Sequence, residues 1–231
     1  MKKSTLFSLI STFICIPGAL LLGRFLPGRA YYLTSTLVII FLLIPFFLAF
    51  EGRKPQAREL VLIAVMCALA TVSRAVFAWL PNFKPIYGII ILSGIAFGAQ
   101  AGFLVGAISA FASNFLFGQG PWTPWQMLAY GICGFIAGLC YYRKDKLPKD
   151  PFSLGLFGFI TVLFVVCPLL DTSTVLTTLT VFTPTAVFSI YATAILTNLI
   201  QAGCTLVTLL LLSKPLLAIL MRIITKYGLY Q

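Results

Sequence analysis

The sequence contains no histidine and only five acidic residues in 231. Four of the five, Glu51, Glu59, Asp145 and Asp150, fall on the side that charge counting makes the inner one; Asp171 is left alone on the outer side. Acid–base catalysis needs positioned titratable groups, so a membrane enzyme such as a lipid-modifying transferase has almost no material here. No G-x-x-x-x-G-K-[ST] loop occurs, which excludes ATP hydrolysis by that route. Nor do the apolar runs hold the chain of carboxylates that a proton-coupled carrier uses. The six cysteines (Cys15, Cys67, Cys133, Cys140, Cys167, Cys204) form no C-x-x-C pair and lie inside apolar runs. They read as small core residues, not as metal ligands or disulfides. Charge is scarce altogether, at 9% against about 25% in ordinary soluble domains.

What fills the chain instead is apolar: 60% hydrophobic residues and a mean hydropathy of +1.05. This is the composition of an all-α integral membrane protein, with almost the whole chain in the bilayer. The net charge of +11 gives no reason to expect nucleic acid, because Lys and Arg sit between the apolar runs, where they set orientation.

Apolar runs place spans at 4–23 and 31–50, then a third from about residue 57 to Leu80, which the prolines of Pro81-Asn82-Phe83-Lys84-Pro85 close. The first run has a basic start like a signal peptide, but no A-x-A site follows, so a retained span is expected. Residues 86–117 as one helix would be about 48 Å long, whereas the hydrocarbon core is about 30 Å thick. Two short spans turning near Ala99-Gln100-Ala101 fit better. They also keep 12 of the 16 Lys and Arg on one side, as the positive-inside rule asks. Further spans are expected at about 124–142, 152–170 and 187–213. A polar loop at 171–186 and an amphipathic tail from Lys214, lying on the inner surface, complete the chain. The expected architecture is one transmembrane domain of about eight helices with both termini cytoplasmic.

The most distinctive stretch is Gly94 to Gln126. It opens with small residues at every fourth position (Gly94, Gly98, Gly102, Gly106, Ala110), a spacing that lets helix backbones approach closely in a bilayer. It closes with Gly118-Gln119-Gly120-Pro121-Trp122-Thr123-Pro124-Trp125, a proline-rigidified loop offering two indoles. A preordered aromatic loop suits ligand stacking; the plainer reading of Trp79, Trp122 and Trp125 is a membrane-interface belt. Asn82, Asn114, Gln119, Thr123 and Gln126 cluster near the same face and suit a large polar, mostly uncharged ligand. Asn114 reads equally as an interhelical hydrogen bond, and Asn198 and Gln201 read as interhelical glue. Arg74, the one charge within a span, either faces a cavity or snorkels to the headgroups. Lys84 reads as a loop cation or a ligand contact. Ala64-x-x-x-Ala68 reads as internal packing or as a docking face for another membrane protein.

The run Pro81-Asn82-Phe83-Lys84-Pro85-Ile86, the Gly98/Gly102/Gly106 helices, GQGPWTPWQM at 118–127 and GFIAG at 134–138 together resemble the substrate-binding S-components of energy-coupling factor (ECF) vitamin transporters. The likeness covers about residues 57–226, and GPWTPWQ is its specific part. The resemblance implies a six-helix core (57–213), preceded by two extra N-terminal spans (1–50) that depart from the family pattern, and followed by the tail (214–231). It implies vitamin uptake through a transmembrane coupling subunit and two ATPase subunits that use ATP and Mg, with no cofactor or metal held by this chain. Ala64 and Ala68 match the family's docking motif. Arg74, Asn82, Lys84, Asn114, Gln119, Trp122, Thr123, Trp125 and Gln126 are the expected ligand contacts. Lys226-Tyr227-Gly228-Leu229 resembles the corrinoid-type members, which makes cobalamin the expected vitamin. An S-component for another vitamin or precursor is one alternative and a stand-alone secondary carrier the other; internal repeats or broken mid-membrane helices would mark a carrier, and no repeat is evident.

Overall fold

A computed structural model describes residues 56–142, 150–179 and 183–228. The two N-terminal spans, the 24–30 loop and the basic 143–149 loop expected from the sequence lie outside the described residues. What is described is all helical, without strands: α1 (Ala57–Val76), α2 (Ile86–Phe97), α3 (Ala99–Phe117), α4 (Thr123–Tyr141), α5 (Pro151–Thr178) and α6 (Pro184–Tyr227). Four of them, α1, α3, α5 and α6, are long and apolar enough to cross a membrane; α2 is a shorter apolar helix.

Local chemistry sets the boundaries. α1 carries Glu59 in its first turn and Arg74 in its last, each matched in sign to its end of the helix dipole. It ends at Val76, one turn before the expected Leu80, and Asn82 then turns the chain with a left-handed φ of 60°, a conformation Asn tolerates better than most residues. The break between α2 and α3 falls at Gly98, whose φ of 92° few side chains would permit. The two pieces are unequal, 12 and 19 residues, so α2 is only about 18 Å long.

α2 is the centre of the bundle, and all 12 of its residues are buried. α3 and α4 pack against it and against each other. A Cβ at Gly94 would strike the Gly134 carbonyl, one at Gly134 the Gly102 carbonyl, and one at Gly106 the Tyr130 carbonyl. Hydrogen at these positions therefore fixes the backbone separation of three helices, as expected for small-residue seams in bilayers. Tyr87 and Tyr130 fill the middle edge to face, centroids 4.8 Å apart. α1 packs on α2 and α3, while α5 and α6 pair with each other on the far side of α2.

Two expectations about the second half are corrected. α5 does not stop near residue 170: it runs through Asp171 to Thr178, with a wider π turn at Val162–Val166 in its middle. The stretch expected to be an outer polar loop is thus mostly helix, and Thr172, Thr174 and Thr177 bond carbonyls about one turn back, as in Thr172 to Pro168 at 2.7 Å. The tail does not begin a new element either. α6 continues unbroken through Pro215 for 44 residues. Leu216, Leu217 and Ile224 pack against the bundle core and Leu220 is 4% exposed, so much of this apolar stripe has protein to cover and not only lipid. Gly228, at φ 61°, terminates the helix.

Candidate functional site

An open cleft of about 680 Å³ lies between the starts of α2 and α4, the last turns of α5 and the first half of α6. Its walls are Lys84 before α2; Pro121, Trp122 and Gln126 at α4; one face of α5, from Leu170 and Asp171 through Ser173 and Thr174 to Thr177 and Thr178; and Thr197, Asn198 and Gln201 on α6. The volume falls within the range of small-molecule sites, about 300–1,000 Å³.

Behind the α4 wall runs a directed hydrogen-bond network. Arg74 is buried, 9% exposed. It donates to Ser113 Oγ at 2.6 Å and to Asn114 Oδ1 at 3.1 Å, and its guanidinium lies 4.4 Å from the centroid of the Phe117 ring. Asn114 donates in turn to Thr123 Oγ1 at 3.1 Å and to Gln126 Oε1 at 2.8 Å. Thr123 also accepts from the Gly120 backbone N–H and donates to Gln119 Oε1, and Gln119 Nε2 donates to the Phe111 carbonyl at 3.1 Å. The loop 118–122 is thereby pinned to both flanking helices. At its crest the Trp122 ring lies over Gly120, where a Cβ would come within 2.5 Å of it. The ring is 43% exposed and lines the cleft.

The α5–α6 wall is tied by other bonds. Asn198 Nδ2 donates to Asp171 Oδ2 at 2.7 Å, Tyr87 OH donates to Gln201 Oε1 at 2.9 Å, and Thr172 bonds Tyr191 at 2.8 Å.

Of the residues expected to touch a ligand, Lys84, Trp122 and Gln126 line the cleft. Arg74, Asn114, Gln119 and Thr123 stand behind it as the network. Arg74 neither faces the cavity nor snorkels: it is spent on α3. Trp125 is 7% exposed in the core and does not line the cleft, and Asn82 reaches Thr197 at 3.4 Å. Ala64 and Ala68 are exposed on α1. The sequence predicts a pocket bordered by the 118–126, 81–85 and 171–186 loops but singles out no contact residue in the last of these, which the structure makes the α5 wall (Asp171, Ser173, Thr174, Thr177, Thr178). Its signal was present: the threonine-rich stretch holding the one outer acid. Asn198 and Gln201 do make the interhelical bonds expected of them, and they face the cleft as well.

The described residues thus form an apolar helical bundle of membrane-spanning character, with an open cleft at one end and a rigid aromatic loop beside it. Residues 54–218 match the family described as ECF-type riboflavin transporter, S component, and the chain belongs to that family. It is also 30% identical over 114 residues to a UPF0397 protein of Vibrio atlanticus, covering 47% of this chain and 62% of that one. A UPF0397 protein of Aliivibrio salmonicida is 32% identical over 107 residues, covering 44% and 56%. One of Clostridium perfringens is 31% identical over 99 residues, covering 39% and 52%. The chain thus spans between about half and three fifths of these curated relatives. No solved structure matches it significantly. None of these similarities supports the cobalamin specificity that the sequence resemblance suggested.

Proposed function

We propose that this chain captures riboflavin, or a vitamin of similar build, at the outer face of a bacterial cell membrane, and releases it inward as part of an ECF-type importer. The family match over residues 54–218 is the observation that carries this reading. The cleft supports it: one exposed indole, Trp122, offers a surface for a flat ring, and the threonines and amides of α5 and α6 offer partners for a hydroxylated chain. The reading replaces cobalamin, a far bulkier solute. ATP hydrolysis belongs to two partner ATPases using Mg, joined through a transmembrane coupling subunit that meets α1 at Ala64 and Ala68. Both termini are cytoplasmic, with Lys214, Arg222 and Lys226 toward the inner leaflet.

The protein purified in detergent should quench riboflavin fluorescence with a saturable one-to-one isotherm, and partner proteins of the coupling and ATPase types should co-purify. Absence of binding by folded protein would reject the vitamin. Uptake by the chain alone in liposomes, without partners or ATP, would reject the importer subunit in favour of a stand-alone carrier.

A further inference from the structure

The network behind the cleft starts at a residue that can only donate. A guanidinium has N–H groups and no acceptor. Arg74 therefore settles which way the Asn114 amide faces, a choice otherwise open for any Asn: Oδ1 must point to Arg74, so Nδ2 must point to Thr123 and Gln126. Gln126 can meet an N–H only with its oxygen. Its Oε1 is thereby consumed, and its Nε2, which has no partner among the described residues, is left at the cleft wall. The far end of the network is fixed in the same direction, because Gln119 donates to a backbone carbonyl, which can only accept. Asn114 is 1% exposed, so water has no room to scramble the order.

We infer that Arg74 is a positioning residue that sets the hydrogen-bond polarity of the cleft, making Gln126 an obligate donor that selects ligands presenting a carbonyl-type acceptor to the α4 wall. Lys84 and Trp122, which also line the cleft and whose side chains can only donate, strengthen the same preference. The identity of the ligand rests on the proposed function; the polarity does not.

Two measurements test this. In the first, wild-type protein is titrated with riboflavin and with its 2-thio and 4-thio analogues, in which sulfur, a poor acceptor, replaces one ring carbonyl oxygen. At least one analogue should bind roughly 3- to 10-fold more weakly, the worth of one neutral hydrogen bond. That discrimination should persist in Arg74→Lys, which still only donates, and collapse in Arg74→Met and Gln126→Glu. Equal affinity for all three flavins in the wild type, or undiminished discrimination in Arg74→Met, overturns the inference while leaving riboflavin as the ligand. The second needs no ligand. With glutamine side chains labelled by 15N, and Gln126→Glu used to assign the signal, the Gln126 NH2 should exchange with water rapidly in the wild type and more slowly in Arg74→Met, where it is free to donate to Asn114. Slow exchange in the wild type, or no change in Arg74→Met, overturns the inference even if riboflavin does not bind.

Discussion

Asn198 on α6 donates to Asp171 on α5 at 2.7 Å, and both side chains stand at the wall of the cleft. One bond thus joins two helices and shapes the site. Asn198→Ala would leave a carboxyl that is 8% exposed without this partner. The expected loss is about 1–3 kcal/mol, read as a lower melting temperature in detergent together with weaker ligand binding. Normal melting and binding in the variant would mean that the wall is held by other contacts.

The two loop tryptophans should behave differently. Trp122 is half exposed at the cleft and Trp125 is buried in the core. Trp122→Ala should fold and lose about 1–3 kcal/mol of ligand affinity, by analogy with base–aromatic stacking, or roughly 5- to 150-fold. Trp125→Ala should cost about 3–5 kcal/mol of stability and show first as poor expression. If titration and thermal unfolding find both variants alike, the loop does not divide its rings this way.

Glycines in the seam and outside it should respond in opposite directions to one methyl group. Gly134→Ala drives a Cβ into the Gly102 carbonyl, and forcing a packed core apart costs about 1–3 kcal/mol. Gly203, within α6, has nothing within 4 Å of the same added atom, so Gly203→Ala should stabilise by about 0.4–1 kcal/mol. Melting curves of the two variants decide; a stable Gly134→Ala would mean that the backbones can separate freely.

Ala64 and Ala68 lie one turn apart on α1 and both are exposed. Replacing both with Leu should abolish close backbone approach by a partner helix and hence co-purification of the coupling subunit. Ligand affinity should stay within about twofold, since neither residue lines the cleft. Intact assembly would move the docking face elsewhere.

The C-terminal end of α6 offers a test of the proposed orientation. A single cysteine placed at Lys226 in a background without native cysteines should react with a membrane-impermeant maleimide only after the membrane is opened, and one at Gln119 should react in intact cells. The reverse pattern would invert the bundle and put the cleft on the cytoplasmic side.

Composition and spacing by themselves determined that the described chain is helical and built for a bilayer, because the apolar runs leave no other way to satisfy the backbone in lipid. Helix length and charge also placed a break near Ala99-Gln100-Ala101; the turn falls just before it, at Gly98, whose lack of a β-carbon permits the φ of 92°. The glycine seam was legible for the same local reason. What the sequence could not settle is where the polar side chains point. Arg74 and Asn114 are 40 positions apart, and Asp171 and Asn198 are 27 apart; only packed helices bring them together. The residues expected to contact a ligand therefore divided into a lining set and a supporting set, and Trp125 went to the core. The threonines after Asp171 looked like a loop because local polarity is ambiguous between a solvated turn and a helix facing water. Tertiary structure decided for the helix, since α6 supplies the partner that α5 needs to continue.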